Sequence, residues 1–423
     1  PAGWVGQITS NSFMKREFGS RLIEEFLPRQ DLRLVADTSG AYIPGHGTPT
    51  VIVVGRHCAP VAGTVRAVLG KRGEPGQPAD PARALVWSSI HDQSSNAGFE
   101  NEYVSVDDIK RSSLKQHPWN LTGGVAPLVV ERLNANSGVE LAALLDGPVG
   151  FASFPGSDDS FFSCDSELRR TVPKSLIKPV VTGDVVRDWD IAEGLSALFP
   201  YDDKYDLLAL GQSDDWGRRM WPLRTPLGST TDFDGKTKAS SGKPWWGWYR
   251  LVARRYKTPL TITFAFVATH NHFVLDRGGK VFKQSAPVIK LPEGATEDQH
   301  LELLGVLNSS TACFWLKQNS HNKGDSTDTK GARVTGDPAF DSYEFTGTTL
   351  KDFPLPGKLP LERGRRLDSL AQKLAAQTPP ALIGHETPTQ RMLDTARVAY
   401  GVVRERMIAE QEELDWECYR LYG

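Results

Sequence analysis

Four groups of residues have side chains suited to chemistry at a spacing that could bring them together. The first is Thr9-Ser-Asn-Ser-Phe13, followed by Lys15 and Arg16. A polar cluster at the carboxyl end of a short apolar strand is where open α/β sheets place ligand-binding groups. The same residues suit a helix cap, with Asn11 or Ser12 accepting from the first helical amides, and the two roles are compatible. The second is Tyr42, in Ser39-Gly-Ala-Tyr-Ile-Pro-Gly-His-Gly47. An aromatic held by a glycine- and proline-rich loop at a sheet edge can stack on a base, or pack its own loop. His46 beside it is either a general base or simply solvated. The third is His270-Asn-His272, two imidazoles on one face of a strand. That suits a metal pair, but only Asp276 stands near as a third donor, so no metal is expected. The fourth is basic. Arg250-Leu-Val-Ala-Arg-Arg-Tyr-Lys257 follows Trp245, Trp246, Trp248 and Tyr249, and Lys317-Gln-Asn-Ser-His-Asn-Lys-Gly324 is a polar run. Their side-chain types read base edges and phosphates, or form a solvated face. No P-loop, HExxH or GxSxG is present, and no credible Ser-His-Asp set emerges.

The elements that must position these groups follow from composition and pattern. The chain has 423 residues, with 49 Lys and Arg against 51 Asp and Glu and a net charge of -2. A small nucleic-acid module is usually strongly basic, so any nucleic-acid contact must use local patches on a balanced body. Hydrophobic residues at 39% and charged residues at 24% exclude wholesale disorder. No apolar run approaches the about 20 residues of a membrane helix. Cys58, Cys164, Cys313 and Cys418 are too far apart for a CxxC knuckle or a disulfide scaffold, and suit thiols in a cytoplasmic protein. No repeat period argues for a solenoid.

Trp4-Val-Gly-Gln-Ile8 reads as a strand. Phe13 to Leu27 reads as a helix with Met14, Phe18, Leu22, Ile23 and Phe26 on one face, ended by Pro28. Asp31 to Ala36 alternates like a strand. Thr50-Val-Ile-Val-Val54 is a β-branched run, predicted to be buried on both faces. Together these fit the closing part of an α/β sheet, without the glycine-rich turn of a dinucleotide-type site. Ala82 to Ile90 suits a short helix, Glu102 to Val106 a strand, and Val125 to Leu145 two helical stretches. From Gly147 to about Pro356 short apolar runs broken by Pro, Gly, Asp and Asn predict a β-rich α+β region, with a helix over Glu297 to Lys317. Beyond it, Leu361 to Gln377 and Thr387 to Tyr419 are charged amphipathic helices.

Two long motifs carry a resemblance. Gln7-Ile-Thr-Ser-Asn-Ser-Phe-Met-Lys-Arg-Glu-Phe-Gly19 and Asp37-Thr-Ser-Gly-Ala-Tyr-Ile-Pro-Gly-His-Gly-Thr-Pro-Thr50 resemble the PglX family of adenine-specific DNA methyltransferases, in the form found in type 2 BREX (Pgl) phage-defence systems. Lys178-Pro-Val-Val-Thr-Gly183, Ala268-Thr-His-Asn-His-Phe273, Ala286-Pro-Val-Ile-Lys-Leu-Pro292, Leu307-Asn-Ser-Ser-Thr-Ala-Cys-Phe-Trp315 and Glu413-Leu-Asp-Trp-Glu-Cys-Tyr-Arg-Leu-Tyr422 agree. The Leu-Asn-Ser-Ser stretch is shared more widely by TaqI-like specificity domains.

The resemblance implies an α/β domain that uses S-adenosyl-L-methionine to methylate the N6 amino group of adenine, the base having left the duplex. A target-recognition domain reads double-stranded DNA. The chain has neither the Asn-Pro-Pro-Tyr/Phe motif nor the glycine motif for the methyl donor. Both are expected before residue 1, so these residues alone are expected not to transfer methyl. By resemblance, 1–146 is the end of a partial, Rossmann-like methyltransferase sheet, 147–356 the recognition domain and 357–423 a helical region. Asn11, Ser12, Phe13 and Tyr42 would border the extruded base. Lys15 and Arg16 would meet phosphate. Lys178, His270, His272, Lys317, Asn319, His321, Asn322 and Lys323 fall in the recognition domain as DNA-binding candidates. Other BREX proteins are possible partners, and a protein-interaction module without DNA affinity is the alternative function.

Overall fold

The computed structural model describes residues 3–211, 214–231, 235–324, 326–327, 333–334, 338–383 and 387–423. Its architecture is mixed α/β, with several sheets and a long carboxy-terminal helix. Six strands build the first sheet: β1 (Trp4–Ser10), β2 (Asp31–Asp37), β3 (Thr50–Arg56), β4 (Thr64–Gly70), β5 (Phe99–Glu100) and β6 (Val104–Lys110). They lie in the order β1-β3-β2-β4-β6-β5. Antiparallel β3 separates β1 from β2, so β1 and β2 run the same way; β2 and β4 form a parallel pair. Period-two alternation gives the sheet two apolar faces. Val35, Val51, Val65, Ala67 and Leu69 pack with Phe13, Met14, Ile23 and Trp119 on one side. Ala36, Val68, Val104 and Val106 pack with Val86 and Ile90 of helix α1 (Leu85–Gln93) on the other.

Three expectations for this region change. The segment from Asn11 to Arg29 is a chain of short 3-10 and π turns, not one helix. Gly19 lies so close to the Phe13 backbone that a Cβ there would meet the Phe13 carbonyl at 1.8 Å, so the chain turns where a helix would have continued. Ile23 is fully buried, but Phe18 and Phe26 are 67% and 53% exposed. In β3 only Thr50 and Val51 are buried, because its neighbour β1 is the edge of the sheet among the described residues, and exposes Trp4, Val5 and Ile8.

After Leu121 the packing changes hands. Helix α2 (Ala126–Ala135) contributes Leu133 to a second large core, and so does Leu141. The second helix expected before Leu145 is instead a strand, Ser137–Glu140, paired with Pro354–Pro356, followed by a single 3-10 turn, Leu141–Leu144. This core also holds the strands Thr261–Phe264 and Phe273–Asp276, helices α3 (Glu297–Leu307) and α4 (Ser310–Asn319), and Leu367, Leu414 and Cys418 from helices α5 (Leu361–Ala375) and α6 (Gln390–Leu421). Residues 126–146 and the carboxy-terminal helices thus share a core with the middle of the chain.

The helix expected over Glu297 to Lys317 breaks at Asn308-Ser309. Asn308 Nδ2 donates to the Phe273 carbonyl at 2.9 Å, and Phe273 N–H donates to Asn308 Oδ1 at 3.0 Å. Ser309 Oγ accepts from Ala312 N–H and caps α4. The Leu-Asn-Ser-Ser stretch is therefore a helix junction tied to a strand. The Trp- and Arg-rich stretch is also structural. Trp248 is buried against Phe199 and Tyr201, and the buried Arg255 donates to the carbonyls of Phe151 and Pro148.

Candidate nucleic-acid interface

Two bodies with separate apolar cores meet along a polar seam. The first ends at Leu121 and the second begins at α2; Thr122-Gly-Gly-Val125 joins them. Gly124 sits at φ +73°, a conformation that favours glycine. Among the described residues no apolar cluster or sheet crosses the seam. Polar links do. Lys15 Nζ donates to the Gln318 carbonyl, Arg16 is paired with Glu344, and Asn120 Nδ2 donates to Gln318 Oε1 at 3.2 Å.

A cleft of about 310 Å³ opens in the seam. The carboxyl ends of β1, β2 and β4 supply Asn11, Lys15, Asp37, Ser39, Gly40, Lys71 and Arg72; the second body supplies Lys317, Ser320, His321, Asn322, Asp341 and Tyr343. Five sequence-predicted residues therefore converge here: Asn11, Lys15, Lys317, His321 and Asn322. Secondary structure explains how. Ser10 caps the turn Asn11–Met14, which places Asn11 and Lys15 at the mouth. Lys317 lies in the last turn of α4, and His321–Gly324 is a strand paired with Ser342–Glu344. Lys317 Nζ lies 5.3 Å from the centre of the Tyr343 ring, a cation–π contact. Asn322 Nδ2 donates to Asp341 Oδ2 at 2.9 Å.

Electrostatics at the cleft are poised. Burial lowers the Lys15 ammonium to about 7, opposed by the nearby Asp37 carboxylate. Outside the cleft, His270 is held below the usual imidazole value by burial, then by Lys317 and His272, against Asp188. Asn11 Oδ1 and Ser320 Oγ are buried in the cleft wall without a hydrogen-bond partner. Such groups cost about 1–3 kcal/mol each, which a polar ligand would relieve.

The remaining predicted residues are elsewhere. Phe13 is 5% exposed and meets Trp119 edge-on at 5.8 Å, so it is core, not pocket wall. Tyr42 is 4% exposed and does not line the cleft; as placed, it presents no face to a base. Ser12 Oγ accepts from Ser10 Oγ at 3.0 Å. Arg16 is engaged by Glu344. Asn319 Nδ2 donates back to the Trp315 carbonyl and faces a smaller, about 100 Å³ cavity on the other side of Lys15. Lys178 lines a separate cavity of about 240 Å³ with Tyr201 and Tyr256. His272 Nδ1 is 2.7 Å from Asp188, His270 Nδ1 is 2.9 Å from Thr269 Oγ1, and the two imidazole rings are 6.3 Å apart. No group of three metal-ligating side chains occurs among the described residues. Lys323 is exposed at the rim strand. Lys71 and Arg72 were missed by sequence reasoning. Their signal was two cations between glycines, Gly70-Lys-Arg-Gly73. A Cβ on Gly40 would sit 3.0 Å from Gly73 Cα, so the two loops can approach only without side chains. Lys71 is paired with Glu100 at 2.7 Å, and Arg72 with Glu102.

No family model matches the chain. Over 99% of its length it is 46% identical to the adenine-specific methyltransferase PglX of Streptomyces coelicolor (strain ATCC BAA-471 / A3(2) / M145), and it spans 35% of that protein. The resemblance read from the motifs thus extends across the whole chain. Among solved structures, the type IIL restriction-modification enzyme MmeI in complex with DNA aligns with 99% of this chain and 49% of its own, at 11% identity and a TM-score of 0.48. The type IIG restriction endonuclease BpuSI aligns with 97% of this chain and 48% of its own, at 12% identity and a TM-score of 0.39. No described helix is long and apolar enough to cross a membrane.

Proposed function

We propose that the chain is the DNA-gripping, carboxy-terminal portion of a site-specific adenine (N6) DNA methyltransferase acting in BREX-type phage defence. The observation that carries this is the cleft. Asn11 and Lys15 meet Lys317, His321 and Asn322, about 300 residues further along the chain, around buried polar atoms without a partner. The 46% identity to a stretch covering 35% of PglX supports the enzyme class.

S-adenosyl-L-methionine, the methyl donor implied by that class, does not fit the groups present. No glycine-rich strand-to-helix turn of the kind that cradles such a group occurs among the described residues. No methyl-transfer step is therefore assigned to these residues. The donor site belongs, in this proposal, to a further part of the enzyme that pairs with the free edge of β1. Main-chain groups of an edge strand template such pairing, and β1 itself exposes Trp4, Val5 and Ile8. In this proposal the domains are a sheet body, a recognition body and the helical tail packed upon it.

Retention on duplex DNA, titrated with salt, tests this. Affinity should fall steeply as salt rises, because phosphate contacts release counterions; retention unchanged by salt would count against it. The alternative is an interaction module, favoured by the exposed Val398, Val402, Ile408 and Trp416 along α6. Co-purification with another defence protein and no duplex affinity at low salt would select it.

A further inference from the structure

The seam has the marks of a closed latch rather than a finished interface. Seven described side-chain atoms are buried without a hydrogen-bond partner, and four of them, on Asn11, Arg16, His117 and Ser320, lie along it. Settled interiors satisfy nearly all such atoms. Cavities of about 310 and 100 Å³ flank Lys15 within it. The only covalent link nearby passes through Gly124, where a Cβ would meet nothing within 4 Å. An interface with few apolar contacts, orphaned polar groups and a glycine at its hinge opens at low cost.

The groups that close the latch are informative. Lys15 and Arg16 are adjacent cations on the sheet body. Each is occupied by an oxygen of the recognition body: the Gln318 carbonyl for Lys15 and the Glu344 carboxylate for Arg16. Glu344 is held in register on its strand, opposite His321 and Val267. Its side chain is 15% exposed, so it is held in place rather than free in solvent. A carboxylate matches the planar guanidinium as a phosphate does. The two oxygens thus stand where backbone phosphates would bind.

We propose that the Arg16–Glu344 pair, with Lys15 on the Gln318 carbonyl, is an autoinhibitory latch that double-stranded DNA opens by exchange. Phosphate oxygens replace Glu344 and the Gln318 carbonyl on the two cations, and the bodies part about Gly124. This rests on the DNA-gripping role proposed above. It makes Glu344 a competitor of DNA, so its loss should strengthen binding, a gain that misfolding cannot mimic.

The test measures binding of a fluorescent mixed-sequence duplex by anisotropy, with the chain as parent, Glu344→Gln, Arg16→Ala and the double variant. Glu344→Gln should bind roughly tenfold tighter, the worth of one charge-assisted hydrogen bond. Its salt slope should stay close to the parent's, because Arg16 meets the same phosphate in both complexes. Arg16→Ala should erase that gain in the double variant. Hydrogen exchange without DNA should show the Ser342–Glu344 strand less protected in Glu344→Gln. If the parent binds the duplex and Glu344→Gln binds no tighter, the latch is overturned and DNA gripping stands. If neither binds at low salt, DNA gripping fails and the exchange mechanism fails with it.

Discussion

Lys15 offers the sharpest test of the cleft, because its charge there differs from its charge in water. Burial takes its pKa from 10.5 to about 7, only partly offset by Asp37. At pH 8 such a group is protonated in about one molecule in ten. A phosphate oxygen near Nζ favours the charged form and returns the pKa toward its ordinary value. Binding duplex DNA at pH 8 should therefore take up about 0.9 proton at Lys15, and at pH 6 only about 0.1, since the site is then already charged. Calorimetric titration in two buffers of different ionisation enthalpy counts these protons. His270 also sits below its ordinary value and can contribute, so Lys15→Met provides the subtraction. Equal proton counts for the parent and Lys15→Met at pH 8 would refute the placement of Lys15 against phosphate. The same shift fixes a sign for stability. Between about 7 and 10.5 the unfolded chain binds more protons at Lys15 than the folded one. Its contribution to stability therefore rises with pH across that window, by at most about 1.4 kcal/mol per pH unit, and is lowest at and below pH 7.

Four further outcomes are expected. Asn11→Ala removes a buried oxygen that has no partner, so the fold should gain up to about 1–3 kcal/mol in urea unfolding, while duplex affinity drops. Phe13→Ala should cost about 3–5 kcal/mol in urea unfolding, because it empties a buried site against Trp119. Tyr42→Ala should destabilise the sheet body by a comparable amount; unchanged stability with lost methylation in the complete enzyme would restore a stacking role. Lys317→Ala should reduce the salt slope of duplex binding by about 0.9, whereas Lys178→Ala, in its own cavity, should leave it unchanged.

Local pattern made much of this legible. Alternation marked β2, and the β-branched run marked β3. The charged amphipathic segments after Pro360 are α5 and α6. Periodicity failed where a close approach overrode it. The i, i+4 spacing from Met14 to Phe26 promises a helix, but Gly19 against the Phe13 backbone and the exposed sheet edge leave Phe18 and Phe26 in solvent. The run from Glu297 to Lys317 looks continuous because nothing local reveals that Asn308 bonds to Phe273, 35 residues upstream.

Side-chain chemistry by itself determined which residues were candidates: amides, cations and imidazoles keep the same donors and acceptors wherever they lie. Only the tertiary structure decided which of them share a cleft. Asn11 and Lys15 reach Lys317, His321 and Asn322 because two separately cored bodies fold back on each other across Gly124. Tyr42 and Phe13, as suitable by type, were drawn inward, since burying an aromatic ring gains more than leaving it at a surface. Chain separation carries no information about that choice; it is made by apolar area removed from water, summed over strands and turns far apart in sequence.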